Sequence, residues 1–412
     1  MKKQLALILA LCLALTALVG CGSSADTDAA EPAETETAAE APVDETAAEE
    51  AEESEPVEVK VVDYAALYAS HDPDEVVATA NGHDIPWGEY FYWYYTQVSQ
   101  MDNYFAQMSS YYGINYGWND PVSEDSDETF AELASENTEV MLRQFYGIEG
   151  YAEKNKIALT DEDNALVDER VEEDKLSLCG EGATEDDFNK KLGEIYISRE
   201  LYDRMCRIDK LYSRGMADKY GENGEKVSDK EALAFLDDNG YLSASHILLM
   251  TTNPTTGEAL SEDEVAEKKE QAEKIAEELA AIKDEKKLTA RFAELKEKYD
   301  EDTGKTYYPD GYVFTEGTMV TEFEDAVKAM KAGEVSEVVE SPYGYHVIMR
   351  LAPSADRTVS YSSDGTAAYS ARYICASQQY SDEVESFVNS VKLSVKDGFG
   401  VNVADYVKTV TQ

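Results

Sequence analysis

The sequence predicts an α+β protein in which a small sheet covered by helices is inserted in a mostly α-helical region. Three observations carry this. From residue 61 to about residue 235, apolar residues recur at helical spacing between capping motifs. From Ala244 to Leu351 the pattern changes to strand, helices, strand, helix, strand, strand. Beyond Pro353 one apolar-faced helix remains, with Val384, Phe387, Val388, Val391 and Val395 on one side. It is too small to fold alone, so residues 354–412 are expected to pack on the first helical region.

The first 60 residues belong to neither part. Lys2 and Lys3 precede an apolar run from Leu5 to Leu18. That run has signal-peptide length and is too short for a spanning helix of roughly 20 residues. It closes on Leu18-Val-Gly-Cys21. This resembles the lipobox of bacterial lipoproteins, which implies a leader over 1–21, cleavage before Cys21 and acylation of Cys21. An ordinary secretory signal with an incidental cysteine is the alternative. Residues 22–59 hold 14 Asp or Glu and no Lys, Arg or aromatic residue. Such a segment buries too little apolar surface to offset its ordering entropy, so 22–60 reads as a disordered acidic tether.

The formal net charge is −49. Setting aside the 14 tether acids and the two leader lysines leaves −37 for residues 60–412. Nucleic acid is thereby excluded as a partner, because phosphate contact needs a basic face. Anionic lipid would repel the folded body too, leaving the acyl anchor to hold it at the membrane. Cys179, Cys206 and Cys375 are odd in number, and their spacing fits neither CxxC nor a zinc site. No metal and no cofactor is expected.

Within the helical region, 61–238, a short strand from Val76 runs into a turn at Asn81-Gly82. Pro86 opens a helix to about Ser109 with aromatics at Trp87, Tyr90 to Tyr95, Tyr104, Phe105, Tyr111 and Tyr112. They circle the helix more widely than one core stripe requires, and amphipathic rings at a wet surface suit extended polypeptide. Further helices span Glu128 to about Lys156 and Asp187 to about Tyr220, with N-terminal caps at Thr160 and Thr184. Ser228-Asp-Lys-Glu231 is a capping box before a short helix.

In the inserted region, 239–353, strands are expected at Ala244–Met250, Gly311–Phe314, Val335–Val339 and His346–Leu351. Helices are expected after Ser261, from about Leu288 to Tyr299, and from Val320 to Met330, covering one face of the sheet. The chain has four histidines. Two of them, His246 and His346, sit on or beside the first and last strands, so one compact domain would bring them together.

Several segments here carry a family resemblance. Ser245-His246-Ile-Leu-Leu, Lys298-Tyr-Asp-Glu-Asp302, Gly317-Thr-Met319-Val-Thr-Glu-Phe323-Glu-Asp325, Lys331-Ala-Gly-Glu334 and Tyr343-Gly-Tyr-His346-Val-Ile occur in one order. Together they resemble a parvulin-type peptidyl-prolyl isomerase domain, a small antiparallel sheet covered by helices. The layout of lipobox, tether, helical region, parvulin domain and closing helix is similar to that of PrsA-type foldase lipoproteins and SurA-like chaperones.

The resemblance implies His246 and His346 as paired imidazoles and Asp302 at the position of a family cysteine or aspartate. It implies Met319 and Phe323 as the apolar slot for the proline ring, with Ser341 and Tyr343 beside the second histidine. Tyr343 is larger than the family's usual small hydroxyl residue. Pro309-Asp-Gly-Tyr-Val-Phe314 departs from the family's Gly-Gly-Asp-Leu-Gly-Trp-Phe, which reshapes the wall near Gly311 and Tyr312. The loop Thr251–Leu260 has no Lys or Arg, so a doubly charged phosphate finds no partner there.

The implied function is a membrane-anchored foldase on the extracytoplasmic face, isomerising X–Pro bonds in unfolded or partly folded exported polypeptides. The alternative is a holdase chaperone whose parvulin domain is structural or nearly inactive. Oligomeric state is not legible in the sequence.

Overall fold

The computed structural model describes residues 58–411, apart from 254, 363, 364 and 398. The leader with Cys21, and the tether up to residue 57, lie outside the described residues. The chain divides into two compact units. One joins the residues up to Tyr212 to those from Ser386 onward, and the other is the continuous stretch Ser213–Glu385.

The first unit opens with β1 (Glu58–Val62), three residues inside the range expected for the tether, and a one-turn α1 (Tyr64–Tyr68). Next come the hairpin β2 (Val76–Ala80) and β3 (His83–Pro86), then α2 (Trp87–Tyr112) and α3 (Phe130–Asn155). Helices α4 (Asp161–Cys179) and α5 (Glu185–Glu194) follow, then α6 (Arg199–Tyr220), whose residues from Ser213 on belong to the second unit. Thr129, Thr160 and Thr184 each close a capping box with the acid three residues on, at the starts of α3, α4 and α5. Each box satisfies amide donors that a helix start leaves without partners.

The single helix expected over 187–220 is two, α5 and α6. Ile195 ends α5, and Tyr196 takes a left-handed φ of 63° that no continuing helix allows. On α2 the aromatics divide by position. Trp87 and Tyr90 to Tyr94 are buried, whereas Tyr104, Tyr111 and Tyr112 near its C-terminal end are exposed.

The second unit contains α7 (Asp229–Asp238), β4 (Leu242–Met250), α8 (Glu262–Ala280), α9 (Glu285–Tyr299), β5 (Tyr312–Phe314) and α10 (Thr321–Ala329). It continues with β6 (Val335–Ser341), β7 (Gly344–Arg350), the small hairpin β8 (Thr358–Tyr361) and β9 (Ala368–Ser370), and most of α11 (Ala371–Val388). Its main sheet has the order β5-β4-β7-β6 and is antiparallel throughout.

Both faces of this sheet are covered, not one as the sequence suggested. Ile247, Leu249, Tyr345, Val347 and Met349 form one core with Ile275 and Leu279 of α8 and Phe292 and Leu295 of α9. Ala244 and Ile348 form another with Phe314 and with Phe323 and Val327 of α10. Alternate side chains of a strand point to opposite faces. Two apolar cores therefore demand a strand buried at consecutive positions, and Ser243 to Leu249 are all buried.

Two chain-closing strands complete the first unit. β10 (Leu393–Val395) pairs with β2, and β11 (Val407–Thr411) pairs with β1 along its whole length. These pairings were absent from the helical reading of residues 61–238. Neither strand has a partner nearby in sequence, so no local turn signal announces them.

Candidate functional site

Register places the two histidines. In the β4–β7 ladder His246 lies opposite Ile348, and Leu248 lies opposite His346. Residues 346 and 348 share a face, so His246 and His346 are diagonal neighbours on the face that α10 covers. Their Nδ1 atoms stand 3.0 Å apart. Both rings are buried, at 7% and 3% exposure.

Asp302 reaches them because its loop docks on a free strand edge. β5 pairs with β4 only from Leu242 to Ala244, leaving the rest of that edge open. The segment following α9 fills it. Leu248 N–H donates to Asp300 Oδ1 at 2.9 Å, Glu301 N–H donates to the Leu248 carbonyl at 2.9 Å, and Met250 N–H donates to Glu301 Oε2 at 2.8 Å. Open strand edges need such partners. The docked loop brings Asp302 Oδ2 to 3.0 Å from His246 Nε2.

The proton positions follow from donor chemistry. An ionised carboxylate only accepts, so His246 Nε2 carries the hydrogen and a neutral His246 accepts at Nδ1. His346 then donates from Nδ1 and accepts at Nε2, where the Ser341 hydroxyl donates at 2.7 Å. Ser341 Oγ in turn accepts the Tyr343 N–H at 3.2 Å. One direction of donation runs from the β6–β7 turn through both rings to Asp302. These tautomers are assigned from the network.

The electrostatics bear on the two ends of the imidazole–carboxylate pair, His346 and Asp302. Burial and the facing His246 ring hold the His346 pKa down to about 3. Burial alone would raise the Asp302 pKa. Hydrogen bonds from His246 and from the Tyr312 hydroxyl override it and hold the carboxyl well below its usual range. The wall thus sets a neutral His346 beside His246 and an ionised Asp302.

Phe323 lies edge-on to both rings, 5.4 Å from His246 at 88° and 5.6 Å from His346 at 70°. Met319 is half-buried and packs against the cluster that contains Phe323. Its turn is held by buried Glu324, which accepts N–H groups from Gly317 at 3.1 Å and Met319 at 2.9 Å. The structure therefore brings together His246, His346, Asp302, Ser341 and Phe323, with Met319 in the adjoining core. Tyr343 joins by its backbone N–H, while its side chain is 56% exposed. Tyr312 was legible only as a departure from a motif. Its hydroxyl donates to Asp302 Oδ2 at 2.5 Å and its ring lies 5.6 Å from His246.

Comparison with known proteins gives the following. Residues 227–353 match the PPIC-type PPIase domain family. The chain is 30% identical over 212 residues to the foldase protein PrsA of Staphylococcus aureus, covering 51% of this chain and 59% of that protein. It thus spans less than two thirds of the length of the curated relatives it matches. Among solved structures, PrsA from Bacillus subtilis is 19% identical, with 77% of this chain and 92% of that chain covered and a TM-score of 0.23. NmPin, the parvulin of Nitrosopumilus maritimus, is 29% identical over 27% of this chain and 97% of its own, with a TM-score of 0.19.

Proposed function

We propose, from the premise that this chain carries a PPIC-type parvulin domain and is homologous to PrsA foldase proteins, that it catalyses cis/trans isomerisation of X–Pro bonds in exported polypeptides. It does so on the extracytoplasmic face, held by an acylated Cys21 and the acidic tether, as a chaperone-like helical region with the parvulin domain inserted. The observation that carries the reading is the hydrogen-bonded chain Ser341–His346–His246–Asp302 alongside the buried Phe323 ring.

The chemistry asks for no covalent step. Partial double-bond character sets a barrier of ~18–20 kcal/mol to peptide rotation, and X–Pro bonds turn over unaided in tens to hundreds of seconds. A catalyst must favour the twisted amide over both planar forms. Phe323 and Met319 grip the ring and exclude water. The planar amide carries resonance charge on its oxygen, and the twisted amide carries less. A fixed anionic Asp302, kept in place by His246, therefore disfavours the planar forms, and the paired imidazoles supply a preorganised polar wall. Exposed Tyr104, Tyr111 and Tyr112 support a holding role for the first unit, because rings with polar tips suit extended chain.

The test is isomerisation of plain and phosphorylated prolyl peptides by the full chain. Comparable turnover of both is expected, since the loop 251–260 holds no Lys or Arg. Strong preference for the phosphorylated peptide would overturn that part. No turnover at all, with aggregation of unfolded clients still suppressed, would replace the isomerase by a holdase.

A further inference from the structure

We infer that Tyr312 is a positioning residue for the Asp302 carboxylate, and that position 304 is glycine so that the Tyr312 hydroxyl has room to reach it. The inference rests on the isomerase reading of the site and extends it to two residues to which the resemblance gives no part in holding the carboxylate.

A carboxylate on a loop is free to rotate about two bonds. Here donors from three segments hold it. Oδ1 accepts the Gly304 N–H at 3.0 Å, and Oδ2 accepts both the Tyr312 hydroxyl at 2.5 Å and His246 Nε2–H at 3.0 Å. The phenol ring is itself confined. Tyr308 lies 4.9 Å from it on one side, backed edge-on by Tyr361 at 5.5 Å, and His246 lies 5.6 Å away on another.

Gly304 supplies the independent observation. Its φ is not among the left-handed values, so the backbone there admits any residue. The restriction is steric. A Cβ at 304 would overlap the Tyr312 hydroxyl oxygen and stand 3.4 Å from the ring carbon that bears it. The remaining near atom is Asp302 Oδ1, at 3.3 Å. Gly304 therefore keeps clear the space that Tyr312 uses. By fixing Asp302, Tyr312 also fixes which nitrogen of His246 carries the proton, and through it the direction of the whole chain.

Two variants separate the hydroxyl from the space. Tyr312→Phe keeps the ring and removes the donor. Gly304→Ala keeps the donor and displaces it. The charged and titratable groups around the carboxylate are His246, His346, Asp300, Glu301, Lys305 and Tyr308, all unchanged in both variants. In the full chain, each variant should lower kcat/KM for a prolyl peptide about tenfold, the worth of one charge-assisted hydrogen bond. The imidazole nitrogen NMR signals of His246 should shift in both. The double variant should be no worse than either single one, because both remove one contact.

Unchanged His246 signals would overturn the inference, as would losses that multiply in the double variant. The imidazole signals report the contact whether or not the protein turns over substrate. An inactive wild type with shifted His246 signals in the variants would sink the isomerase reading and leave the positioning role standing.

Discussion

Acidification should loosen the site through His346. In the folded protein, burial and the His246 ring hold its pKa down to about 3, whereas an unperturbed histidine titrates near ~6.5. With the folded value below the unfolded one, the unfolded chain takes up the proton first. The stability tied to neutral His346 is therefore complete above about pH 6.5 and is lost as pH falls toward 3. Each pH unit inside that window is worth up to ~1.4 kcal/mol, so descent from about pH 6.5 to about pH 4 removes up to ~3 kcal/mol.

Geometry gives the same sign. The two Nδ1 atoms are 3.0 Å apart and share one hydrogen, so protonating both rings would set two N–H donors face to face. Amide hydrogen exchange of β4 and β7 is the assay to use, because Trp87, Trp93 and Trp118 all lie in the first unit and fluorescence would report on that. Wild type is compared with His346→Gln between about pH 7 and about pH 4. The many surface acids contribute alike to both, so the difference in slope isolates His346. The reasoning is refuted if His346 titrates near its ordinary value by NMR, or if the glutamine variant keeps the wild-type slope.

Other substitutions probe the parts separately. Asp302→Asn keeps the shape and removes the charge, so kcat/KM for a prolyl peptide should drop at least ~tenfold with little change in Tm; retained turnover would rule out an electrostatic role. Phe323→Ala leaves a cavity against both imidazoles and should cost ~3–5 kcal/mol of stability, read by calorimetry, along with turnover. Gly344 has φ of 139°, and a Cβ there would overlap the Leu249 carbonyl oxygen. Gly344→Ala should thus destabilise by more than ~2 kcal/mol. Gly257→Ala, with φ of 72° and nothing within 4 Å, should cost only about 1 kcal/mol by the same thermal unfolding.

Much of the site was readable before any fold was known. The motif around Phe323 sits on a helix one residue shorter at each end than expected, Thr321–Ala329. The strand with His246 begins two residues early, at Leu242. The family resemblance singled out Asp302 beside the imidazoles, whereas the run of three successive acids by itself does not. Asp300 and Glu301 turn instead to the strand edge, binding Leu248 and Met250 amides, and nothing in an acidic triplet says which member turns which way. Tyr343 shows the reverse case: the motif carries the position into the site, yet only the backbone takes part. Tyr312 and Gly304 were invisible as a pair, since neither means anything without the other.

Helix starts at Thr160, Thr184, Ser228 and Ser261 were decided locally. Each cap and its acid are three residues apart, so the amide to be satisfied and the group that satisfies it lie in one short window. The same holds for the apolar periods of α8 and β4. Contacts that make the site behave otherwise. His346 meets His246 across 100 residues, and Asp302 meets His246 across 56. β1 finds β11 only after the chain has returned from the second unit. Such pairings follow from strand register, from an edge left open when β5 pairs only as far as Ala244, and from the space above one glycine. They are properties of surfaces brought together by folding, and no spacing along the chain encodes them.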